Sequence, residues 1–203
     1  MPPSDPFDDD PADTCTAIMQ ATYRALSEHG YTGLTIQRIG DEFDRSKSLL
    51  YHHYDGKDDL MLDFLAFMLD YHRETVSEWE TDDPETELRS LVDHFFTRDR
   101  EDDEFGAAMV ELRAQAAHDE AYCDHFTRSD ALFRDRIAET VAQGVEQGDF
   151  RAVDPEAVAE HLLTAIVGRT TRRTTADAAA ALESLRAELH RYIDDSLLAE
   201  GST

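Results

Sequence analysis

Lysine, asparagine, cysteine and long apolar runs are scarce or absent in this chain of 203 residues. The two cysteines, Cys15 and Cys123, form no CxxC pair and no disulfide framework, which fits a reducing compartment. No apolar run reaches the roughly 18 residues that a membrane span needs, and no charged-then-apolar signal pattern is present. We therefore exclude secreted, membrane-spanning and disulfide-stabilised classes, and expect a cytoplasmic protein without a membrane partner.

Charge of one sign dominates the composition. Asp and Glu number 45 against 19 Lys and Arg, a formal net charge of −26, and the lysines are Lys47 and Lys57 alone. Such a chain repels itself at low ionic strength, but at molar salt the Debye length falls to about 3 Å. Acid excess along the whole chain with little lysine resembles the proteins of extreme halophiles. The alternative is an acidic protein that avoids polyanions.

The acid excess is uneven. Residues 1–12 form an acidic, Pro-rich stretch expected to be a disordered tail, whereas residues 13–60 carry five basic and eight acidic residues and are much closer to neutral than the rest. Composition alone argues against a nucleic-acid partner, so a DNA-binding function must rest on a more specific signal.

Apolar residues recur at helical spacing throughout, and strand signals are almost absent. The pattern predicts an all-α fold of about nine helices. Gly30 is expected to end the first helix, and Asp154 with Pro155 to begin another. The predicted helices are a first ending at Gly30, then 35–43, 47–53, 57–80, one through Leu88 to Phe96, one through Met109 to Ala116, 128–147, one from Asp154, and 177–198.

Residues 35–54 predict two short helices joined by a tight turn, the pattern of a helix-turn-helix. Steeply crossing helices need a small residue at their contact, here Gly40, and a turn residue that tolerates positive φ, here Asp44. The expected inward side chains are Ile36, Ile39, Phe43, Leu50 and Tyr54. The expected outward ones are Ser46, Lys47, Ser48, Leu49, Tyr51 and His52.

About 50 residues with matching internal spacing resemble the TetR/AcrR family of transcriptional regulators. The resemblance is carried by GYTGLT at 30–35, IG at 39–40, SKSLLYHHY at 46–54 and KDDL at 57–60. Residues 144–169 are similar to the start of the family's dimerisation helices. The resemblance implies a three-helix DNA-binding domain at residues 13–60, which we call the head, and a helical effector-binding and dimerisation bundle. It also implies a homodimer that binds a palindromic operator of double-stranded DNA until a small-molecule effector releases it.

The resemblance also implies roles for individual residues. Thr35 caps the first motif helix near a phosphate, Ser46 caps the recognition helix, and Lys47, Ser48 and Leu49 reach base edges in the major groove. Tyr51, His52 and Lys57 match phosphate contacts. The family's usual Gly-Val-Ser turn is replaced by Asp44, Arg45 and Ser46, so Arg45 adds a phosphate contact. Leu49 replaces a small polar residue and can meet a thymine methyl group but cannot hydrogen-bond.

Two further sets follow from the resemblance, and every member also fits an ordinary hydrophobic core. The expected interface between two copies consists of Val158, Leu162, Ile166, Leu182, Leu189 and Ile193. The expected effector pocket is lined by Phe64, Phe67, Met68, Tyr71, Trp79, Phe95, Met109, Phe126, Phe133 and His161. An apolar or cationic ligand suits such a lining.

The expected organisation is a tail at 1–12, a DNA-binding domain at 13–60 and an effector-binding and dimerisation domain at 61–203. No catalytic motif, phosphate-binding loop, cofactor fingerprint or metal-ligand spacing occurs, so no enzyme activity, cofactor or metal is expected. The expected function is that of a ligand-responsive transcriptional repressor. Two alternatives remain open: a helical small-molecule binder that has lost specific DNA binding, and an activator of the same architecture.

Operator affinity is expected to depend weakly on salt above 1 M. Phosphate-driven affinity falls with a slope of about −0.9 per neutralised phosphate, and that contribution is nearly exhausted in molar salt. Titrations of the operator duplex from 1 to 3 M KCl measure the slope. A steep loss of affinity over this range would contradict the prediction.

Overall fold

The computed structural model describes residues 13–43, 46–78, 81–96 and 101–199. Within them the chain forms nine α-helices and a short π-helical turn, with one isolated β-bridge between Phe150 and Leu198, which confirms the all-α prediction. The helices are α1 (Thr14–Gly33), α2 (Ile36–Glu42), α3 (Lys47–His53), α4 (Lys57–Glu78), α5 (Pro84–Phe96), α6 (Glu101–Gln115), α7 (Glu120–Gln147), α8 (Pro155–Thr175) and α9 (Ala179–Tyr192), followed by the π-helical turn Ile193–Leu197. The expected tail at 1–12 lies outside the described residues.

Most helix boundaries follow local capping chemistry. The Asp154 side chain accepts hydrogen bonds from the amides of Glu156 and Ala157 at 3.1 and 3.3 Å, and Pro155 opens α8 as predicted. Helix α7 begins at Glu120, eight residues before the predicted 128, and the Asp119 carboxylate accepts from the Ala121 amide at 2.9 Å. That acidic cap was not recognised in the sequence.

Gly30 interrupts α1 without ending it. Its φ of 63° and ψ of 169° are not helical, yet a further turn continues to Gly33. A positive φ combined with an extended ψ is essentially restricted to glycine. The break turns the chain so that residues 31–33 project from the end of α1.

The described residues divide into two compact units. The first comprises the chain up to residue 73 together with residues 100–127, and the second comprises residues 74–99 and 128–203. Helix α6 therefore packs in the same unit as α1, α2 and α3. The division of function at residue 60 stays a prediction.

The first unit has a continuous core built from α1 to α4 and α6. Helix α6 packs along α1, where the rings of Tyr23 and Phe105 lie 4.7 Å apart between centroids. Phe64 is fully buried and meets Phe105 edge to face at 6.2 Å. The motif helices are thus built on the same core as α6.

The structure of the second unit corrects the set of residues expected to form the interface between two copies. Each of the six side chains predicted to face a second copy is buried within the single chain, so none offers an exposed surface. The apolar stripes of α8 and α9 instead pack within this unit, against α5 and α7. The six residues are Val158, Leu162, Ile166, Leu182, Leu189 and Ile193.

Ion pairs reinforce the contacts of α5. The buried Glu87 carboxylate accepts from Arg136 Nη2 at 2.7 Å and from the Thr140 hydroxyl at 2.6 Å, which joins α5 to α7. On α9, Arg186 and His190 each reach Asp93 Oδ1 at 2.8 Å. Burial acts to raise the pKa of Asp93, but hydrogen bonds from His190 and Arg186 outweigh it and hold that pKa below its usual value.

Two backbone hydrogen bonds join the loop after α7 to residues 197–199. The amide of Arg151 donates to the Leu197 carbonyl at 2.7 Å, and the amide of Ala199 donates to the Asp149 carbonyl at 2.8 Å. Phe150 is buried and folds back onto α7 at Gly144. No helix among the described residues is long and apolar enough to cross a bilayer.

Gly144→Ala is expected to destabilise the protein, by about 1–3 kcal/mol, because an added methyl group overpacks this contact. A Cβ at Gly144 would lie 2.3 Å from Phe150 Cδ2. Thermal and denaturant unfolding measure the change. In a Phe150→Ala background the same substitution should instead stabilise α7, since alanine is favoured over glycine in a helix by about 1 kcal/mol; destabilisation in both backgrounds would contradict this explanation.

Candidate nucleic-acid interface

Helices α2 and α3 approach each other closely at Gly40. A Cβ atom on Gly40 would lie 3.2 Å from Lys47 Cδ and 3.5 Å from Leu50 Cδ1. A larger residue there would have to displace the Lys47 side chain, whereas its contact with Leu50 would be an ordinary one. The predicted small-residue contact is confirmed, whereas the turn residues Asp44 and Arg45 lie outside the described residues.

The inner side of the motif is anchored in the core of the first unit. Ile39 and Leu50 are fully buried and Phe43 and Tyr54 are buried, as predicted, whereas Ile36 is half-buried. The Tyr54 hydroxyl donates to Asp63 Oδ2 on α4 at 2.9 Å. Burial, followed by this hydrogen bond, raises the pKa of Tyr54 above its ordinary value. The C-terminal end of α3 is therefore held against α4.

The two predicted caps differ in outcome. Thr35 caps α2, since its hydroxyl oxygen accepts from the Arg38 amide at 3.2 Å. Ser46 occupies the capping position of α3, but its side chain makes no capping hydrogen bond, which corrects the prediction. Its Oγ lies 2.8 Å from Ser48 Oγ instead. The two hydroxyls thus pair on the outer surface at the start of α3.

The outer side of α3 is a solvent-exposed row of polar and aromatic side chains. Tyr51 is 62% exposed, the largest exposure of any large hydrophobic side chain in the described chain. Leu49 departs from the expected outward position, because it is half-buried and packs against the core. The exposed residues are Ser46, Lys47, Ser48, Tyr51, His52 and His53, the last of which was not predicted.

Lys47 is paired within the head. Its ammonium forms a salt bridge with Asp41 Oδ1 at the end of α2. Both side chains are about half exposed, 49% and 57%, so the pair lies at the surface. Asp41 was not singled out in the sequence, although the crossing at Gly40 places residue 41 beside residue 47.

Lys57 is the first residue of α4 and is half-buried. Its Nζ lies 4.0 Å from the centroid of the Tyr31 ring and donates to the Tyr31 carbonyl oxygen at 3.3 Å. The ammonium is thus held on the face of an aromatic ring at the end of α1. Tyr31 belongs to the matching phrase at 30–35, but the sequence carried no signal for this contact.

Each of the four described basic residues at 13–60 has a partner inside the head. Arg24 donates to the Glu42 carbonyl at 3.2 Å, and Arg38 donates to the Gly33 carbonyl, in addition to the two lysine contacts. Four described cations are therefore held in fixed places on an otherwise acidic surface. A DNA phosphate must either displace these partners or bind the cations while the partners stay in place.

The expected effector residues are divided between the two units. Phe64, Met68 and Phe126 are buried in the core of the first unit, and His161 is exposed on α8, where its ring lies 5.0 Å from that of Tyr192. Trp79 lies outside the described residues. The remaining members are half-buried: Phe67, Tyr71 and Met109 in the first unit, and Phe95 and Phe133 in the second. Among described residues, no group of His, Cys, Asp or Glu is arranged to hold a metal ion.

Two family matches cover most of the chain. Residues 18–64 match the bacterial regulatory proteins of the tetR family, and residues 84–198 match the BetI-type transcriptional repressor C-terminal family. The chain belongs to the TetR family. It is therefore a DNA-binding transcriptional regulator of the repressor type, with α2 and α3 as its helix-turn-helix.

Individual relatives agree with this assignment. A TetR transcription regulator from Haloarcula marismortui is 39% identical, covers 90% of this chain and 97% of its own, and superposes with a TM-score of 0.83. The transcriptional repressor AcnR of Corynebacterium efficiens is 24% identical over 82% of this chain and 85% of its own length. A regulator from Saccharomonospora viridis, solved in complex with choline, shares the fold with a TM-score of 0.78 at 19% identity over 92% of this chain and 98% of its own.

Asp41→Asn is expected to raise affinity for a random-sequence duplex about twofold to fivefold, because an exposed ion pair contributes up to about 1 kcal/mol and its loss frees Lys47 for phosphate. Fluorescence anisotropy at several KCl concentrations measures the affinity and its salt slope, which should steepen.

Glu28→Gln removes the same charge from an exposed position on α1 and is the matched control. An equal rise in affinity for both variants would mean that only net charge matters, and that the pairing of Lys47 with Asp41 does not.

Proposed function

We propose that this TetR-family protein is a homodimeric repressor that reads a palindromic operator with α3 and is released by a small-molecule effector. The exposed outer side of α3 is the observation that carries the proposal. It presents two hydroxyls, a lysine, a tyrosine and a histidine on a short helix that is anchored from behind by Leu50 and Tyr54.

The side chains of α3 divide by what they can contact. Lys47 and Ser48 supply hydrogen-bond donors for base edges in the major groove. Tyr51 and His52, one turn further along, are assigned to phosphate, as is Lys57 at the start of α4. The Thr35 hydroxyl accepts from Arg38 and keeps its own proton to donate to a phosphate oxygen. Leu49 contributes only its exposed part to a thymine methyl group.

The surface between two copies is assigned to the outer faces of α8 and α9, because the inner faces are occupied. Exposed residues recur on α8 at intervals of three and four: Ala157, His161, Thr164, Gly168 and Thr171. Apart from His161 these side chains are small, which favours close approach of a second helix pair. TetR regulators dimerise, and this face supports the same assembly here.

The effector is assigned to the C-terminal part of the chain, which matches the BetI-type family. The choline held by the Saccharomonospora viridis regulator makes a compact organic cation the first class of effector to examine. Half-buried aromatic rings such as Phe95 and Phe133, 5.3 Å apart and edge to face, are groups that favour such cations. Repression, and not activation, is favoured by the repressor relatives.

Selection from a random duplex library in 2 M KCl is expected to recover a single palindrome. The Lys47→Glu variant should lose at least about tenfold in affinity for that palindrome, because a base-contacting donor is replaced by a charge that repels DNA. Sequencing of bound duplexes and anisotropy titrations measure the two outcomes.

Circular dichroism and sedimentation in the same salt serve as controls for folding and dimerisation. A folded dimer that recovers no sequence, or a Lys47→Glu variant with unchanged operator affinity, would favour the alternative of a small-molecule binder that has lost DNA recognition.

A further inference from the structure

Two contacts with Tyr31 hold the long side chain of Lys57 in one place. We call the ring and carbonyl oxygen of Tyr31 that make these contacts the seat of Lys57. The ring contact at 4.0 Å and the bond to the Tyr31 carbonyl at 3.3 Å act on the same ammonium. An ammonium has three N–H donors, so one bond to a carbonyl leaves donors for a phosphate. Free lysine side chains lose rotamer freedom on binding, and a seated lysine has already lost it.

Tyr31 is itself held from two other helices. Its hydroxyl donates to Asp58 Oδ1 on α4 at 3.0 Å, and its ring meets the Tyr122 ring of α7 edge to face at 6.3 Å. Tyr122 is buried, with 2% exposure, and forms a rigid wall for this contact. The seat is thus part of the packed first unit.

Glu111 of α6 fixes the backbone next to the seat. Its Oε2 accepts from the Thr32 amide at 2.8 Å and from the Thr32 hydroxyl at 3.0 Å. A Cβ atom on Gly30 would lie only 2.9 Å from Glu111 Oε1, so the carboxylate occupies space that a larger residue would fill. The break at Gly30 and the carboxylate of α6 together set where residue 31 points.

We propose that Glu111 is a positioning residue for DNA binding, which holds the last turn of α1 so that Tyr31 seats Lys57 for its phosphate contact. The inference rests on the proposed role of Lys57. Glu111 acts through Thr32 and Tyr31, and its contribution disappears when the lysine is absent. Strong salt removes most of the counterion-release part of a phosphate contact and leaves the hydrogen bond, which a donor already in place makes at a lower entropic cost.

A double-mutant cycle in 2 M KCl tests the proposal. Glu111→Ala should weaken operator affinity about fivefold to thirtyfold, since a dimer has two seats, but less than about twofold in a Lys57→Gln background. Glu111→Gln keeps an acceptor oxygen and should retain most of the affinity. Glu104→Ala removes a carboxylate from an exposed position on the same helix and should leave affinity unchanged.

Thermal unfolding of each variant controls for folding. If Glu111→Ala does not fold, Thr32→Val removes one of the two hydrogen bonds and enters the same cycle, with an intermediate loss expected. Equal losses in the presence and absence of Lys57 would show a merely structural role and overturn the inference. A Lys57→Gln variant that binds as tightly as the parent would instead refute the phosphate role of Lys57, and the inference with it.

Discussion

The close approach of α2 and α3 at Gly40 is the constraint on which the exposed outer side of α3 depends. At this crossing Leu50 reaches the core beside Ile39, and the stem of the Lys47 side chain lies against Gly40. Burial of Leu50 fixes the rotation of α3 about its axis, and this rotation turns Tyr51 and His52 to the solvent. The same approach brings the Lys47 ammonium to Asp41. The crossing at Gly40 thus sets both which side chains α3 displays and which carboxylate its lysine pairs with.

The head resolves a conflict between an acidic protein and a polyanionic partner by holding its cations in place. Net negative charge opposes association at long range, but screening in molar salt confines charge effects to about 3 Å. Contacts of 2.8–3.3 Å, such as those of Lys57 with Tyr31 and of Thr32 with Glu111, remain effective at that distance. In molar salt, recognition would therefore depend on where donors are placed more than on how many charges attract.

Sequence patterns predicted the elements and the motif because their causes are local. Thr35, Gly40 and the Asp154–Pro155 start act over a few residues, and the structure confirms each of them. The missed features depend on partners distant in sequence. Apolar periodicity showed that α8 has a buried face but not what buries it, so Leu162 and Ile166 were assigned to a second copy when their own chain covers them. Tyr31 and Glu111 lie 80 residues apart, and no spacing rule joins them.

The two lysines illustrate two ways of placing a cation. Lys47 is held by an exposed carboxylate, a pairing that DNA can displace because each partner is also solvated. Lys57 is held by the ring and the carbonyl oxygen of Tyr31. Neither group carries a net charge, so a phosphate does not have to displace a competing anion from this lysine. Lys57 can therefore keep its seat and bind phosphate at once, whereas Lys47 must exchange one anion for another. Under the proposed roles, a change in α6 that moves Glu111 would thus act on the lysine that stays in place.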